Sequence, residues 1–267
     1  MVEQYPTGHG AGDPERPSIA RVYDAMLGGT DNFPADRAVA AKIQSVLPIS
    51  KENAWRQREL LARGVRHLAN AGIDQFLDLG SGLPTVQNTH QIVQALNPDA
   101  RVVYVDNDPA VFARGRVLLA DDPRSAVVTA DLRDVDVVLD HPEVRALVDF
   151  DRPVGLLMVG VLHHFADADD PGGVVKRYLD AVPSGSRLFL THFRANPPVS
   201  DDLEKVFLTM LGSGRFRTQA EIEAYFDGLI LEEPGVVAMP LWKPDGPVAV
   251  PLDTSSEMIA AGSGRKP

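Results

Sequence analysis

The spacing of apolar residues changes character near residue 72. Upstream, the hydrophobic positions follow a helical period. Ser18–Met26 carries Ile19, Val22 and Met26 on one face, with Ser18 placed to cap it and Gly28-Gly29 to stop it. Asp31–Val46 restarts as a helix that ends before Pro48, and Asn53–Ala71 has Trp55, Leu60, Leu61, Val65 and Leu68 as its stripe, with Gly72 as its stop. Downstream, short apolar or β-branched runs alternate with amphipathic ones. Strands are predicted at Gln75–Leu79, Arg101–Val105, Ala126–Thr129, Val154–Val161 and Ser186–His192. Helices are predicted at Thr85–Leu96, Pro109–Leu119, weakly across Asp134–Val148, and at Gly173–Ala181. This alternation implies an α/β fold, with a parallel sheet covered by helices on both faces. Asp201–Leu211 and Thr218–Phe226 read as further helices, the second opened by a Thr218/Glu221 capping box. Leu229–Glu233 and Val236–Pro240 read as two last, antiparallel strands.

The expected organisation is a flexible N-terminus (1–17), a helical segment (18–72), an α/β core (73–252) and a polar C-terminal tail (253–267). The formal net charge of −11 argues against a nucleic-acid partner or an anionic membrane surface. With no cysteine in the sequence, thiolate metal sites and cysteine nucleophiles are excluded. No apolar run is long enough for a spanning helix and the first residues are not an apolar signal segment, so a cytoplasmic protein is expected.

Candidate chemistry sits at the predicted strand ends. Asp78-Leu-Gly80-Ser81-Gly82 lies where the first strand meets the next helix, expected to start around Pro84. Glycines there permit a tight turn and a close approach of backbone to ligand. Thr85 stands where a dinucleotide fingerprint has its third glycine, and a carboxylate at Asp78 would repel a pyrophosphate. Asp78 suits a cationic amino-acid group instead. Asp106 ends the second strand, placed for ribose hydroxyls, with Asp108 as a helix cap. Asp131 ends the third, placed for an adenine amine, with the Leu132 backbone N–H for a ring nitrogen. His163-His164 and His192 follow the fourth and fifth strands. A neutral histidine there suits a general base, although each also reads as a packed or capping residue, and no metal-ligand spacing accompanies them. The residues of the N-terminal segment alone read as a plain helix hairpin turned at Gly28-Gly29; as a helix pair folded over the cleft, it would use Arg21 or Tyr23 to meet a carboxylate and Asn32 to donate hydrogen bonds.

Together, Gly-Gly-Thr-Asp-Asn-Phe-Pro-Ala-Asp-Arg, Phe-Leu-Asp-Leu-Gly-Ser-Gly-Leu-Pro-Thr, Val-Tyr-Val-Asp-Asn-Asp-Pro and Gly-Val-Leu-His-His-Phe resemble an actinobacterial family of S-adenosylmethionine-dependent methyltransferases once catalogued as a domain of unknown function. The resemblance spans about Pro17 to Pro240. It implies a Rossmann-like class I methyltransferase with a mostly parallel seven-stranded sheet and an N-terminal helical lid. It also implies that S-adenosylmethionine is bound by Asp78, Gly80, Ser81 and Gly82 at the methionine end, Asp106 and Asn107 at the ribose and adenine, and Asp131 and Leu132 near the adenine. Gly160 and Val161 would line the transfer site, and the lid would bring Tyr23, Gly28 and Asn32 close. His164 and His192 are the candidate catalytic residues. The expected acceptor is a small molecule; the alternatives are a non-catalytic S-adenosylmethionine-binding regulator and, further off, a nicotinamide-dependent oxidoreductase.

Overall fold

A computed structural model describes residues 13–267. The expected flexible segment 1–17 lies mostly outside the described residues; in its described part, the Asp13 and Arg16 carbonyls accept hydrogen bonds from Arg21.

Five parallel strands form the heart of one sheet: β1 (Gln75–Leu79), β2 (Arg101–Asp106), β3 (Ser125–Thr129), β4 (Gly155–Val159) and β5 (Arg187–Phe193). Their order is β3-β2-β1-β4-β5. Alternate residues serve opposite faces, as the pleat demands. Leu77, Leu79, Val103, Val105, Leu156, Met158, Leu188 and Leu190 pack into one core layer, with Val138 of α6 (Val135–Leu139), Val144 of α7 (Pro142–Leu147), Val174 and Tyr178 of α8 (Pro171–Asp180), and Ile222. Phe76, Val102, Leu157 and Phe189 pack into the other, with Leu60, Leu61, Val65 and Leu68 of α3 (Ser50–Asn70) and Val93 of α4 (Thr89–Leu96). Gly64 lets α3 press against the sheet, since a Cβ there would lie 2.3 Å from the Phe189 ring.

The expected polar tail is instead structural. Ile259–Arg265 is β8, antiparallel to β5 from end to end and buried along Ile259–Gly264. Its run of Ala, Gly and Ser carries no strand-like hydrophobicity, yet small residues are what fit between Phe226, Val236 and Leu229. The other edge of β8 is shared by β6 (Ile230–Leu231) and β7 (Val237–Ala238), each two residues long. The predicted final strands are therefore antiparallel as expected, and both pair with β8. Among the described residues the sheet has eight strands, not seven, but the last of its seven positions is split between β6 and β7.

The N-terminal helices are α1 (Ile19–Leu27), capped by Ser18, and α2 (Pro34–Val46), which starts three residues later than expected, at a proline. Val22, Val39, Ala40 and Ile43 from them pack with Leu203, Val206 and Phe207 of α9 (Val199–Leu211), joining the N-terminal helices to the segment after β5.

Candidate functional site

The glycine turn is built as the sequence implies, but the helix after it is shorter. Residues 85–88 form a loop closed by Asn88, whose Oδ1 accepts from the Thr85 N–H (2.9 Å) and whose N–H donates to Gln91 Oε1 (2.8 Å). That capping box places the helix start at Thr89 rather than near Pro84. Gly80 and Gly82 both have positive φ, +77° and +68°. Their surroundings differ. A Cβ on Gly80 would lie 2.3 Å from Val161 Cγ2, whereas one on Gly82 would meet open space. Val161 thus packs over the turn and joins the ends of β1 and β4.

Asp78 is buried at the end of β1, and its Oδ2 accepts from Thr89 Oγ1 (2.7 Å). Burial pushes its pKa up to about 6, against the lowering effects of Thr89 and Arg58. Asp106 accepts from the backbone N–H of Gly82 (2.8 Å) and of Asp108 (2.9 Å). It braces the turn while keeping lone pairs for further donors, as a carboxylate has about four acceptor sites. Asp108 caps α5 (Pro109–Leu118) through the Ala110 N–H. Asn107 is exposed beside Asp106 and hydrogen-bonds Asp131. Asp131 is already gripped by Arg133 (2.9 Å to Nε), which holds its carboxyl below the usual range. Leu132 is buried, and its carbonyl accepts from the Tyr178 hydroxyl (3.0 Å).

At the β4 end, the Gly160 N–H donates to Thr191 Oγ1 (2.9 Å), and a Cβ on Gly160 would lie 2.3 Å from Gln57 Nε2. An α3 side chain therefore covers this turn. His164 is half-buried in the turn Leu162–His164; its Nδ1 pairs with Ser213 Oγ (3.0 Å), and its ring stacks on Phe207. Burial brings its pKa down to about 4, so it is neutral. His192 is 1% exposed, with Nδ1 against the Phe193 carbonyl (2.7 Å) and Nε2 against Arg217 (3.3 Å). The first contact makes Nδ1 the protonated nitrogen, so the Nε2 lone pair receives the guanidinium. Neither nitrogen is left for a substrate, and the general-base expectation for His192 does not fit its surroundings. His163 is buried between His164 and Phe193.

The N-terminal segment is held mainly by its own polar groups. Arg21 meets a carboxylate, but it is that of Asp36, a fully buried residue (2.9 Å). Asn32 donates to Asp24 Oδ2 (2.7 Å) and to the Gly29 carbonyl, and accepts from Arg37. These two residues stabilise the segment instead of presenting donors to a ligand. Tyr23 donates to the Ala54 carbonyl of α3 (3.0 Å), and burial pushes its hydroxyl up to about 12. Gly28 ends α1 in the left-handed conformation, again a local role. The segment does lie over the site: Ala20 packs with Leu83, Ala110 and Val111, and Asp31 pairs with Arg114 of α5.

A cleft of about 370 Å³, partly open to solvent, runs along the turn between Asp78, Ser81, Gly82 and Thr89. It also contains Arg58 and Tyr104, which sequence reasoning passed over. Both sit in helical or strand patterns where their polar ends carry no local signal. Two polar atoms near it, Ser81 Oγ and Arg58 Nε, are buried without a hydrogen-bond partner among the described residues. Buried polar groups are normally satisfied, so such orphans fit a polar ligand. An open backbone at Gly82, a carboxylate at Asp78 and another at Asp106 suit an amino acid joined to a nucleoside.

A family model described as S-adenosyl methyltransferase matches residues 9–267. A protein of Thermobifida fusca YX, assigned provisionally as a methyltransferase, is 51% identical; the match covers 94% of this chain and 96% of that one, with a TM-score of 0.92. A DUF574 family protein of Streptomyces avermitilis MA-4680 is 39% identical, with 96% and 99% covered and a TM-score of 0.91. The S-adenosylmethionine-dependent methyltransferase SibL, at 17% identity and a TM-score of 0.51 over 81% of this chain and 57% of that one, shares the fold alone. No curated protein matches the chain.

Proposed function

Since the chain belongs to the S-adenosyl methyltransferase family, we propose that the acceptor of its S-adenosylmethionine-dependent methyl transfer is a small molecule. The observation that carries this reading is the helical cover: α1, α2 and α9 pack together through Val22, Ile43, Leu203 and Phe207, and Gln57 closes over Gly160. A polymer needs an open face along which to lie. The net charge of −11 further disfavours a polyanion.

S-adenosylmethionine supplies a methyl group already activated on a sulfonium: the acceptor's lone pair forms the new bond to carbon while the C–S pair stays on sulfur, leaving S-adenosylhomocysteine. The chain then has to bind and orient, and orientation alone accounts for a large share of such rates. Asp78 receives the ammonium and Asp106 the ribose hydroxyls. Asn107 and Asp131 lie on the adenine side, where Asp131 keeps acceptor sites beyond its pair with Arg133. Gly160 and Val161 flank the transfer end. His164, with Nε2 lacking a partner among the described residues, accepts a hydrogen bond from the acceptor and positions it. At a pKa of about 4 it is a poor proton sink, since a general base works best with a pKa near the working pH.

The test is transfer of labelled methyl from S-adenosylmethionine into host extracts separated by size. Label in the low-mass fraction is expected; label confined to protein or nucleic acid overturns the small-molecule acceptor. Replacing His164 by Ala is expected to lower kcat by about tenfold, well short of the 10²–10⁴ of a true base.

A further inference from the structure

Arg58 projects from α3 into the cleft that holds Asp78, Ser81, Gly82 and Thr89. Its Nη2 donates to the carbonyls of Val86 (3.3 Å) and Gln87 (3.0 Å), the loop that leads into α4. Its Nε–H is buried and has no acceptor, and no carboxylate lies within ion-pair distance of it among the described residues. Asp78 faces the same cleft as a buried carboxylate, its one side-chain partner among the described residues being the Thr89 hydroxyl. Two opposite charges therefore share one cleft without a direct ion pair, Arg58 acting on Asp78 only through space. A half-buried cation and a buried anion kept apart are each under-compensated, and bringing a group of opposite sign to each relieves both. A single molecule that carries both signs on one carbon is an amino-acid zwitterion.

We infer that Arg58 binds the α-carboxylate of the cofactor's methionine part, opposite Asp78, and so makes the site selective for adenosyl ligands that keep an intact amino-acid head. The inference rests on the assignment of this cleft to S-adenosylmethionine. The guanidinium has the geometry for it: one edge is engaged by the loop carbonyls, and its orphaned Nε–H is a donor left for a carboxylate oxygen. Ser81 Oγ, also without a partner among the described residues, is a second donor in the same cleft. Thioethers lacking the carboxylate would leave the Arg58 donor buried and unmet, which is how a site rejects a near-identical ligand.

Because Arg58 also anchors the Val86–Gln87 loop, loss of binding in a variant would not by itself separate ligand contact from loop support. The discriminating experiment varies the ligand as well as the residue. Calorimetry is run with S-adenosylhomocysteine and with its decarboxylated analogue, on the unaltered protein, Arg58→Met and Arg58→Lys. The unaltered protein is expected to prefer S-adenosylhomocysteine by about 30-fold, in the range of a buried charge pair. In Arg58→Met that preference is expected to collapse to about threefold or less, with affinity for the decarboxylated analogue nearly unchanged, and Arg58→Lys is expected to recover part of it. If Arg58→Met weakens both ligands alike, or leaves the preference intact, Arg58 is a loop anchor only and the inference fails. If the unaltered protein binds neither ligand, the cofactor assignment of the cleft falls first, a failure visible before any variant is made.

Discussion

Asp78 is ionised at neutral pH in a place water scarcely reaches. Its pKa of about 6 against an ordinary 3.8 means that burial opposes its charge. For a carboxylate raised in this way, the folded state is favoured at low pH and loses that advantage as pH rises from about 4 through 6. The cost above pH 6 is roughly 3 kcal/mol. Asp78→Asn, which keeps an acceptor for Thr89, is therefore expected to raise the Tm of the ligand-free protein at pH 8 while weakening S-adenosylhomocysteine. A lower Tm, or unchanged binding, would contradict the assignment. Stability set aside for a ligand is a familiar trade at binding sites. The wild-type affinity should also fall as pH drops through about 6, because a protonated Asp78 no longer attracts an ammonium. The two glycines of the turn make a second contrast. Gly80→Ala must move Val161 and is expected to cost about 3 kcal/mol, combining left-handed strain with overpacking. Gly82→Ala meets only the strain, about 1 kcal/mol, measurable by urea unfolding. The strand-end acids were legible because each follows an apolar run directly. Arg58 was not, since an arginine within a helix shows nothing of the cleft its end reaches, and neither did Arg217, which occupies His192 from a distant loop.

At the scale of elements, the α1–α2 pair depends on one buried carboxylate. Asp36 accepts from the Ser18 N–H, Arg21 Nε and the Phe33 N–H, all at 2.8–2.9 Å. Asp36→Ala strands the Arg21 charge at 4% exposure, and removal of one partner from such a pair costs about 3–5 kcal/mol. Hydrogen exchange is expected to show α1 and α2 losing protection while β1, β4 and β5 keep theirs; uniform loss would mean that the segment is part of the same cooperative unit. The first five strands and most helices could be read from periodicity because burial on both sheet faces makes the strands continuous in hydrophobicity. The failure at Ile259–Arg265 has a physical cause. Between bulky neighbours, Ala, Gly and Ser are selected by space, and a strand chosen for smallness resembles a loop in composition. Deleting 259–267 tests the correction directly: a disposable tail would leave cooperative unfolding unchanged, whereas removal of β8 is expected to abolish it.

For the whole molecule, the arrangement separates tasks. Ala20 of α1 packs on Leu83 beside the glycine turn, while Val22, Val39 and Ile43 of α1 and α2 pack against α9, so these helices form one layer. Among the described residues, no helix is long and apolar enough to cross a membrane. The fold class and cofactor were accessible from sequence because they follow from patterned strand ends. The acceptor was not, because the proposed acceptor end draws on α3, the β4 turn and α9, which no single stretch of sequence unites.

The place of β8 has a consequence for biosynthesis. Its pairing partner β5 ends at Phe193, so more than sixty residues are made between the two. Throughout that interval the emerging chain carries β5 as a bare edge, the kind of surface that recruits other strands. The late, sequence-distant closure predicts slow completion of folding and a need for shelter during translation, and it places the sheet's greatest exposure to aggregation before β8 has left the ribosome.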